Sequence, residues 1–143
     1  MKQQKGFSLI ELLIVVAVIG IIAAIAVPNL LESKKAANEA SAISSVRTIV
    51  TAQITYSATV GSGSYATLAN LTAAKMIDAA LGTGQKDGYN FTVTDGTTDF
   101  TVTASPIDTN SGTRGFFSDA TAVIRYSPSG TATSASDPLG KTS

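Results

Sequence analysis

The chain has 143 residues, with ten Lys plus Arg against ten Asp plus Glu, and it contains no His, Cys or Trp. This length suits one domain with a modest core, and the missing His and Cys exclude most metal sites, His- or Cys-dependent catalysis and any disulfide framework. The balanced charge also argues against a nucleic-acid binder, which normally carries a basic excess.

The apolar residues are concentrated near the start of the chain. Residues 12–27 form an unbroken apolar run of sixteen residues, and only Ser8 and Glu11 interrupt its extension back to Phe7. At ~1.5 Å per residue, a helix over 7–27 spans roughly 31 Å, the hydrocarbon thickness of a bilayer. Lysines at positions 2 and 5 precede this segment, so the positive-inside rule predicts a cytoplasmic N-terminus.

Three interpretations of this segment compete. It can be a secretory signal cleaved after the small-residue sequence at 24–26, a plain single-span anchor, or a helix stored in the membrane that later packs among copies of itself. Glu11 favours the third, because a carboxylate inside a spanning helix costs about 2.5–3.5 kcal/mol and generally marks a function. A signal or a plain anchor gains nothing from this charge.

The sequence Lys-Gly-Phe-Ser-Leu-Ile-Glu at 5–11, followed by the apolar run and Pro28, closely resembles the class III leader and N-terminal helix of type IV pilins and type II secretion pseudopilins. This resemblance implies a leader at 1–6, cleavage by a prepilin peptidase between Gly6 and Phe7, and N-methylation of the new Phe7 amine. It also implies that Glu11 pairs with the Phe7 amine of a neighbouring subunit. Because each charge is costly when buried alone, such a pair acts as a register device.

The same resemblance implies a life cycle. The subunit is stored in the bacterial inner membrane with its N-terminus in the cytoplasm, and an ATPase and platform machinery then polymerise it into a cell-surface filament of identical subunits. In this family the helix between a glycine and a proline can lose helicity on assembly, and we expect this between Gly20 and Pro28. The spanning or filament-core helix is expected at 7–28, and an amphipathic half of the same helix is expected at 29–57.

The 29–57 segment has an apolar stripe that predicts packing on a small sheet. The predicted stripe contains Leu30, Ala36, Ala37, Ala40, Ile43, Val46, Ile49, Val50 and Ile54, and the small alanines would permit close approach of neighbouring helices. Serines at 33, 41 and 45 fall on the opposite side of the helix, which is predicted to be polar and to face solvent.

A globular head is predicted at 58–126. Helical spacing of apolar residues predicts a helix over 67–81, and two alternating stretches around an Asp-Gly pair at 95–96 predict a β-hairpin. A third strand is predicted near 121–126. The fold class is therefore α+β and pilin-like: a long N-terminal helix whose C-terminal half packs on a small antiparallel sheet of three or four strands.

The last segment, 127–143, is rich in Ser and Thr and is expected to form an exposed loop or mobile tail. Four aspartates could supply oxygen ligands for Ca²⁺, but no EF-hand spacing is present, so we predict no metal and no cofactor. The four aspartates are Asp95, Asp99, Asp108 and Asp119. No His can activate a serine, and the basic residues form no run, so neither enzyme activity nor nucleic-acid binding is predicted.

The leading hypothesis is a structural subunit of a type IV pilus. The close alternative is a pseudopilin of a type II secretion system, which shares the helix. A membrane-anchored enzyme or binding module is the alternative of a different class, and the missing His and Cys, together with Glu11, count against it. The Cys pair and the Trp-containing, Pro-rich signature found in parts of the family are both absent from this sequence.

Overall fold

A computed structural model of the chain describes residues 6–141. Residues 1–5 of the predicted leader therefore lie outside the described residues. The chain divides into two units, 1–33 and 34–143, and each is considered by itself below.

Helix α1 runs from Leu9 to Thr59 and contributes to both units. Its start follows Ser8, and it continues through Gly20 and Pro28 without interruption. The predicted segments 7–28 and 29–57 are thus parts of one 51-residue helix. Proline removes one backbone donor and disfavours helix interiors, so this helix tolerates a local defect at Pro28.

In the second unit, α1 buries a narrow face against the core. Ala42, Val46, Ile49 and Val50 are at most 5% exposed and recur at spacings of three and four, as predicted for a packed helix face. The predicted stripe was too wide. Its outer members are exposed in the structure, namely Leu30, Ala36, Ala37, Ala40 and Ile54.

Two uncharged polar residues of α1 are buried as well. Ser45, assigned to the solvent-facing side of the helix from sequence, is 5% exposed, and Gln53 is fully buried. The Gln53 amide donates to the Ala66 carbonyl at 2.5 Å and accepts from the Ala66 N–H at 2.9 Å. This two-way contact satisfies the buried amide, so hydrogen bonding, not hydropathy, places Gln53 in the core.

The helix predicted over 67–81 is two short helices, α2 at Leu68–Ala73 and α3 at Ala79–Gly82. Lys75 ends α2 in a left-handed conformation with φ +57, and the Met76 N–H donates to the Leu71 carbonyl at 3.0 Å. Asp78 then begins α3, since its side chain accepts from the Leu81 N–H. Apolar spacing alone did not reveal this break.

Six strands form one antiparallel sheet in the order β1-β2-β3-β4-β5-β6, with every strand paired to its sequence neighbour. They are β1 Gln85–Lys86, β2 Tyr89–Asp95, β3 Phe100–Pro106, β4 Gly115–Asp119, β5 Arg125–Ser127 and β6 Asp137–Pro138. The predicted hairpin is confirmed as β2 and β3, where Val93 lies opposite Val102 and Asp95 opposite Phe100. The α+β fold class is confirmed, with more strands than expected.

The third strand was placed too late in the chain. The strand that pairs with β3 is β4, whereas the predicted range 121–126 contains a turn and only the beginning of β5. Asp119 causes this turn, because its carboxylate accepts from the Thr121 N–H at 2.9 Å and Ala122 then adopts φ +59.

Part of the C-terminal segment pairs with the sheet, while most of its described residues are exposed. β6 pairs with β5, the Leu139 N–H donates to the Ile124 carbonyl at 2.7 Å, and Ala132 is only 4% exposed. The C-terminal segment passes close to β4, because a Cβ on Gly115 would collide with the Gly130 backbone. Backbone hydrogen bonds hold this segment against the sheet, so its low hydrophobicity did not indicate that it would lack regular pairing.

Candidate assembly site

The N-terminal part of α1 presents an uncovered apolar surface. Its large apolar side chains are 49–80% exposed from Leu9 to Val27, and Phe7 is 85% exposed. This helix contains an 18-residue stretch long and apolar enough to cross a membrane, and none of that stretch is buried within the chain. Such a surface requires lipid or other apolar helices around it.

Glu11 makes a contact that the sequence reasoning missed. Its carboxylate accepts a hydrogen bond from the backbone N–H of Ser8 at 3.0 Å, directly before the first helical residue. The sequence Ser-x-x-Glu at 8–11 is the signature of a capping box. In a capping box, the side chain of the third helical residue accepts a hydrogen bond from the backbone N–H of the residue before the helix. Glu11 therefore stabilises the helix start within the single chain.

The predicted processing residues lie beside this cap. Gly6 and Phe7 are both exposed, and a Cβ on Gly6 would meet nothing within 4 Å. Within the chain, the hydrogen bond of Glu11 goes to Ser8 and not to Phe7. The expected pairing of Glu11 with a Phe7 amine concerns two subunits, so it stays a prediction.

Gly20 and Pro28 bound the segment expected to change on assembly. No atom lies within 4 Å of a Cβ built on Gly20. Pro28 cannot donate to the preceding helical turn, and the Asn29 side chain donates to the Ile25 carbonyl at 3.1 Å beside this defect. Both residues are helical in the structure, so the predicted helix break stays a prediction.

A buried carboxylate, Glu39, joins α1 to the loop before β4. One oxygen of Glu39 accepts from the backbone N–H groups of Thr113 and Arg114 at 3.0 and 3.1 Å, and the other accepts from Arg114 Nε at 2.7 Å. The Glu39 side chain is 10% exposed and that of Arg114 is 41% exposed. We call this arrangement the Glu39 clamp. The sequence analysis did not single out Glu39.

The clamp also shapes the electrostatics around Tyr89. Burial raises the pKa of Glu39, but the hydrogen bonds from Thr113 and Arg114 and the Arg114 charge outweigh it, so the pKa is lowered from 4.5. Tyr89 donates its hydroxyl hydrogen to the Arg114 carbonyl at 2.7 Å. Burial first, and then the Glu39 charge, raise the pKa of Tyr89 from 10.0 to about 12.

This raised pKa makes the head sensitive to alkali. Since the unfolded chain ionises this phenol near pH 10.0 and the folded chain only at about 12, folding stability falls as pH rises through that interval. We expect Tyr89→Phe to remove a tyrosinate absorbance change near pH 12 and to flatten the alkaline loss of thermal stability. Absorbance titration of the full chain in detergent measures this, and coincident curves for the two proteins near pH 12 would contradict it.

Three of the four aspartates considered for Ca²⁺ accept hydrogen bonds from backbone N–H groups. Asp108 accepts from the N–H groups of Asn110 and Ser111, Asp119 from Thr121, and Asp99 from the Phe100 N–H. Within residues 6–141, no group of three His, Cys, Asp or Glu side chains could hold a metal ion. The structure therefore supplies turn-stabilising roles for three of these four aspartates.

Comparison with known proteins points to one family. Residues 1–27 match the prokaryotic N-terminal methylation motif. The chain is 59% identical over 39 residues to the type IV wide pilus major component of Thermus thermophilus, covering 27% of this chain and 30% of that protein. It is 45% identical over 51 residues to the type IV major pilin protein of Myxococcus xanthus, covering 36% of this chain and 23% of that protein.

A secretion protein matches in the same way. The type II secretion system core protein G of Vibrio cholerae is 41% identical over 46 residues, with 32% of each chain covered. The matched stretches span about a third or less of these relatives' lengths. No solved structure matches the chain.

The recognised motif coincides with the exposed apolar helix and with Glu11, and the relatives include both pilins and a secretion pseudopilin. Proteins of this kind are structural subunits and not enzymes. The N-terminal third of this chain is therefore similar to that of type IV pilins and of type II secretion system core protein G.

Proposed function

We propose that this protein is the structural subunit of a type IV pilus. The subunit is held in the bacterial inner membrane by the N-terminal part of α1 and is polymerised through that helix into a helical filament on the cell surface. The observation that carries this proposal is the uncovered apolar surface of residues 9–27, which contains one carboxylate, Glu11, and falls within the methylation motif.

The energetics fit a helix that leaves lipid for other helices. Lipid tails are as apolar as the side chains of this segment, so transfer into a bundle gains little from the hydrophobic effect alone. Close packing supplies the gain, and Glu11 gives the packing a register because its charge is costly without a partner. Extraction from the membrane depends on the assembly ATPase and the platform machinery.

Processing precedes assembly in this proposal. A prepilin peptidase cleaves between Gly6 and Phe7, and the Phe7 amine is then methylated. Both residues are exposed, as a protease substrate must be. Cleavage leaves 137 residues and removes both leader lysines, so the formal side-chain charge becomes −2 while the apolar helix stays attached.

Assembly also uses the segment from Gly20 to Pro28. The missing Pro28 donor and the conformational freedom of Gly20 weaken the local constraints on this segment of α1. In the filament this segment loses helicity, which allows the filament to extend.

The second candidate is a pseudopilin of a type II secretion system. The match to core protein G of Vibrio cholerae favours it, and so does a 39% identity over 44 residues to the protein of that name in Escherichia coli. Pilus subunits are recovered in filaments sheared from the cell surface, whereas a pseudopilin stays in the periplasm. The names of the pilus relatives, with 59% and 45% identity, favour the first candidate.

Intact-mass analysis of sheared filaments tests the proposal. We expect a subunit that lacks residues 1–6 and carries one additional methyl group at Phe7. An N-terminus at Val27 would instead demonstrate ordinary secretory cleavage after Ala26 and would contradict assembly through this helix. Recovery of the processed chain in the periplasm alone, with no surface filaments, would support the pseudopilin.

A further inference from the structure

The charges of the head are segregated along the chain. Between Glu39 and Asp78 the sequence contains no acidic residue, and its only charged side chains are Arg47 and Lys75. Between Lys86 and Arg114 it contains no basic residue and four aspartates. One part of the head is therefore purely cationic and another purely anionic.

Most of these charged side chains have a partner within the chain. Every carboxylate of residues 6–141 except that of Asp95 has a hydrogen bond, ion pair or electrostatic partner. Among the cations over the same range, Lys34 lies near Asp108, and the remaining cations except Arg47 and Lys75 have partners as well. Three charges are left over, two positive and one negative.

The cationic pair flanks a groove. This concavity of about 490 Å³ lies between the outer face of α1 and the loop after α2, and Arg47, Thr51, Ala52 and Met76 line it. Lys75 precedes Met76 directly in the chain. Two further lining threonines, Thr48 and Thr55, donate their hydroxyl hydrogens back to helix carbonyls, so the Arg47 guanidinium is the main charged group available to a partner.

The unpartnered carboxylate lies on a protruding turn. Asp95 ends β2, and residues 96–99 connect it to β3, with all of 94–99 exposed. This acidic turn contains a second carboxylate, Asp99, whose hydrogen bond comes from the adjacent Phe100 N–H. A turn with two carboxylates is complementary in charge to a groove with an unpaired guanidinium.

Arg47 does not pair with the acidic turn within one chain. The turn packs near Tyr65, whose N–H donates to the Gly96 carbonyl at 3.4 Å. The described residues contain no ion pair between Arg47 and either carboxylate of the turn.

We propose that the acidic turn of one subunit docks into the Arg47 groove of a second copy, with Asp95 as the main partner of Arg47. The proposal rests on the polymerisation proposed above and names a second contact for it, outside the N-terminal helix. Because the turn and the groove are different surfaces, the contact is head-to-tail. Such a contact propagates from copy to copy, and it produces an open helical array when its rotation does not close into a ring.

Charge reversal in the full-length subunit tests the contact. We expect Arg47→Glu and Asp95→Arg each to reduce the yield of sheared filaments about tenfold, with the amount of subunit in the membrane unchanged, because like charges then face each other. The double variant should restore the wild-type yield. A matched control, Arg47→Glu with Asp137→Arg, has the same net charge with the compensation at an exposed residue elsewhere, and its yield should stay low.

Cysteine cross-linking gives a second readout, since the chain has no cysteine of its own. Filaments of a variant with Arg47→Cys and Asp95→Cys should form disulfide-linked multimers, whereas Arg47→Cys with Thr133→Cys should not. Wild-type yield from both single charge variants, or no multimers from the first cysteine pair, would overturn the contact while leaving polymerisation intact. Absence of filaments from the wild-type chain would overturn the proposed function and this contact together.

Discussion

Glu11→Val is expected to leave the subunit processed and in the membrane while reducing its entry into filaments by an order of magnitude or more. The valine is apolar, so membrane insertion becomes easier by about 2.5–3.5 kcal/mol, and the loss must arise at assembly. In the filament the Phe7 amine would then be buried without its partner. Immunoblots of sheared and membrane fractions measure the ratio of the two pools.

Glu11→Gln separates the two roles of this side chain. A glutamine oxygen can still accept from the Ser8 N–H, as Glu11 does at 3.0 Å, but it carries no charge for the Phe7 amine. If pairing between subunits is the function, this variant assembles as poorly as the valine variant. Wild-type filament yield from Glu11→Gln would show that helix capping is what assembly needs, and would contradict the register role.

Glu39→Ala is expected to lower the free energy of unfolding of the head by about 2–3 kcal/mol. The substitution removes the buried carboxylate that accepts from the N–H groups of Thr113 and Arg114. The ion pair itself contributes less, because the Arg114 side chain is 41% exposed and solvent screens it. Denaturant unfolding of the full chain in detergent micelles, followed by tyrosine fluorescence, measures the difference.

Glu39→Gln is the matched control for the charge. It keeps an acceptor for both N–H groups, so the expected loss is about 1 kcal/mol. Since the pKa of Glu39 is lowered in the folded state, its contribution is complete above the ordinary value of 4.5 and is lost as pH falls through the folded pKa. The glutamine variant should therefore show a smaller loss of stability in acid than the wild-type chain. Equal acid profiles for the two proteins would contradict this role of the Glu39 charge.

Local chemistry accounts for the features that sequence reasoning predicted correctly. The alternation of apolar residues around Asp95 and Gly96 is a two-residue period, and only a strand pair places all of those side chains on one face. The long apolar run likewise permits little besides a helix, because a helix satisfies its own backbone hydrogen bonds. The hairpin and the N-terminal part of α1 were therefore predictable from residues that are neighbours in the chain.

Long-range contacts account for the features that were missed. Glu39 is one acidic residue on an Ala- and Ser-rich helix, and its burial follows from N–H groups that lie more than seventy positions later in the sequence. The pairing of β6 was missed for the same reason: its partners are backbone groups of β5, which leave no trace in side-chain composition.

The sequence by itself determined the N-terminal methylation motif, the apolar helix with its single carboxylate, and the α+β class. These depend on short motifs and on periodicity, which are local properties of the chain. The tertiary structure decided which polar residues are buried, where the strands of the C-terminal half begin, and which charges stay unpaired. Burial and pairing depend on groups brought together from distant positions, so Arg47 and Asp95 became distinguishable from the other charged residues only once every internal partner was known.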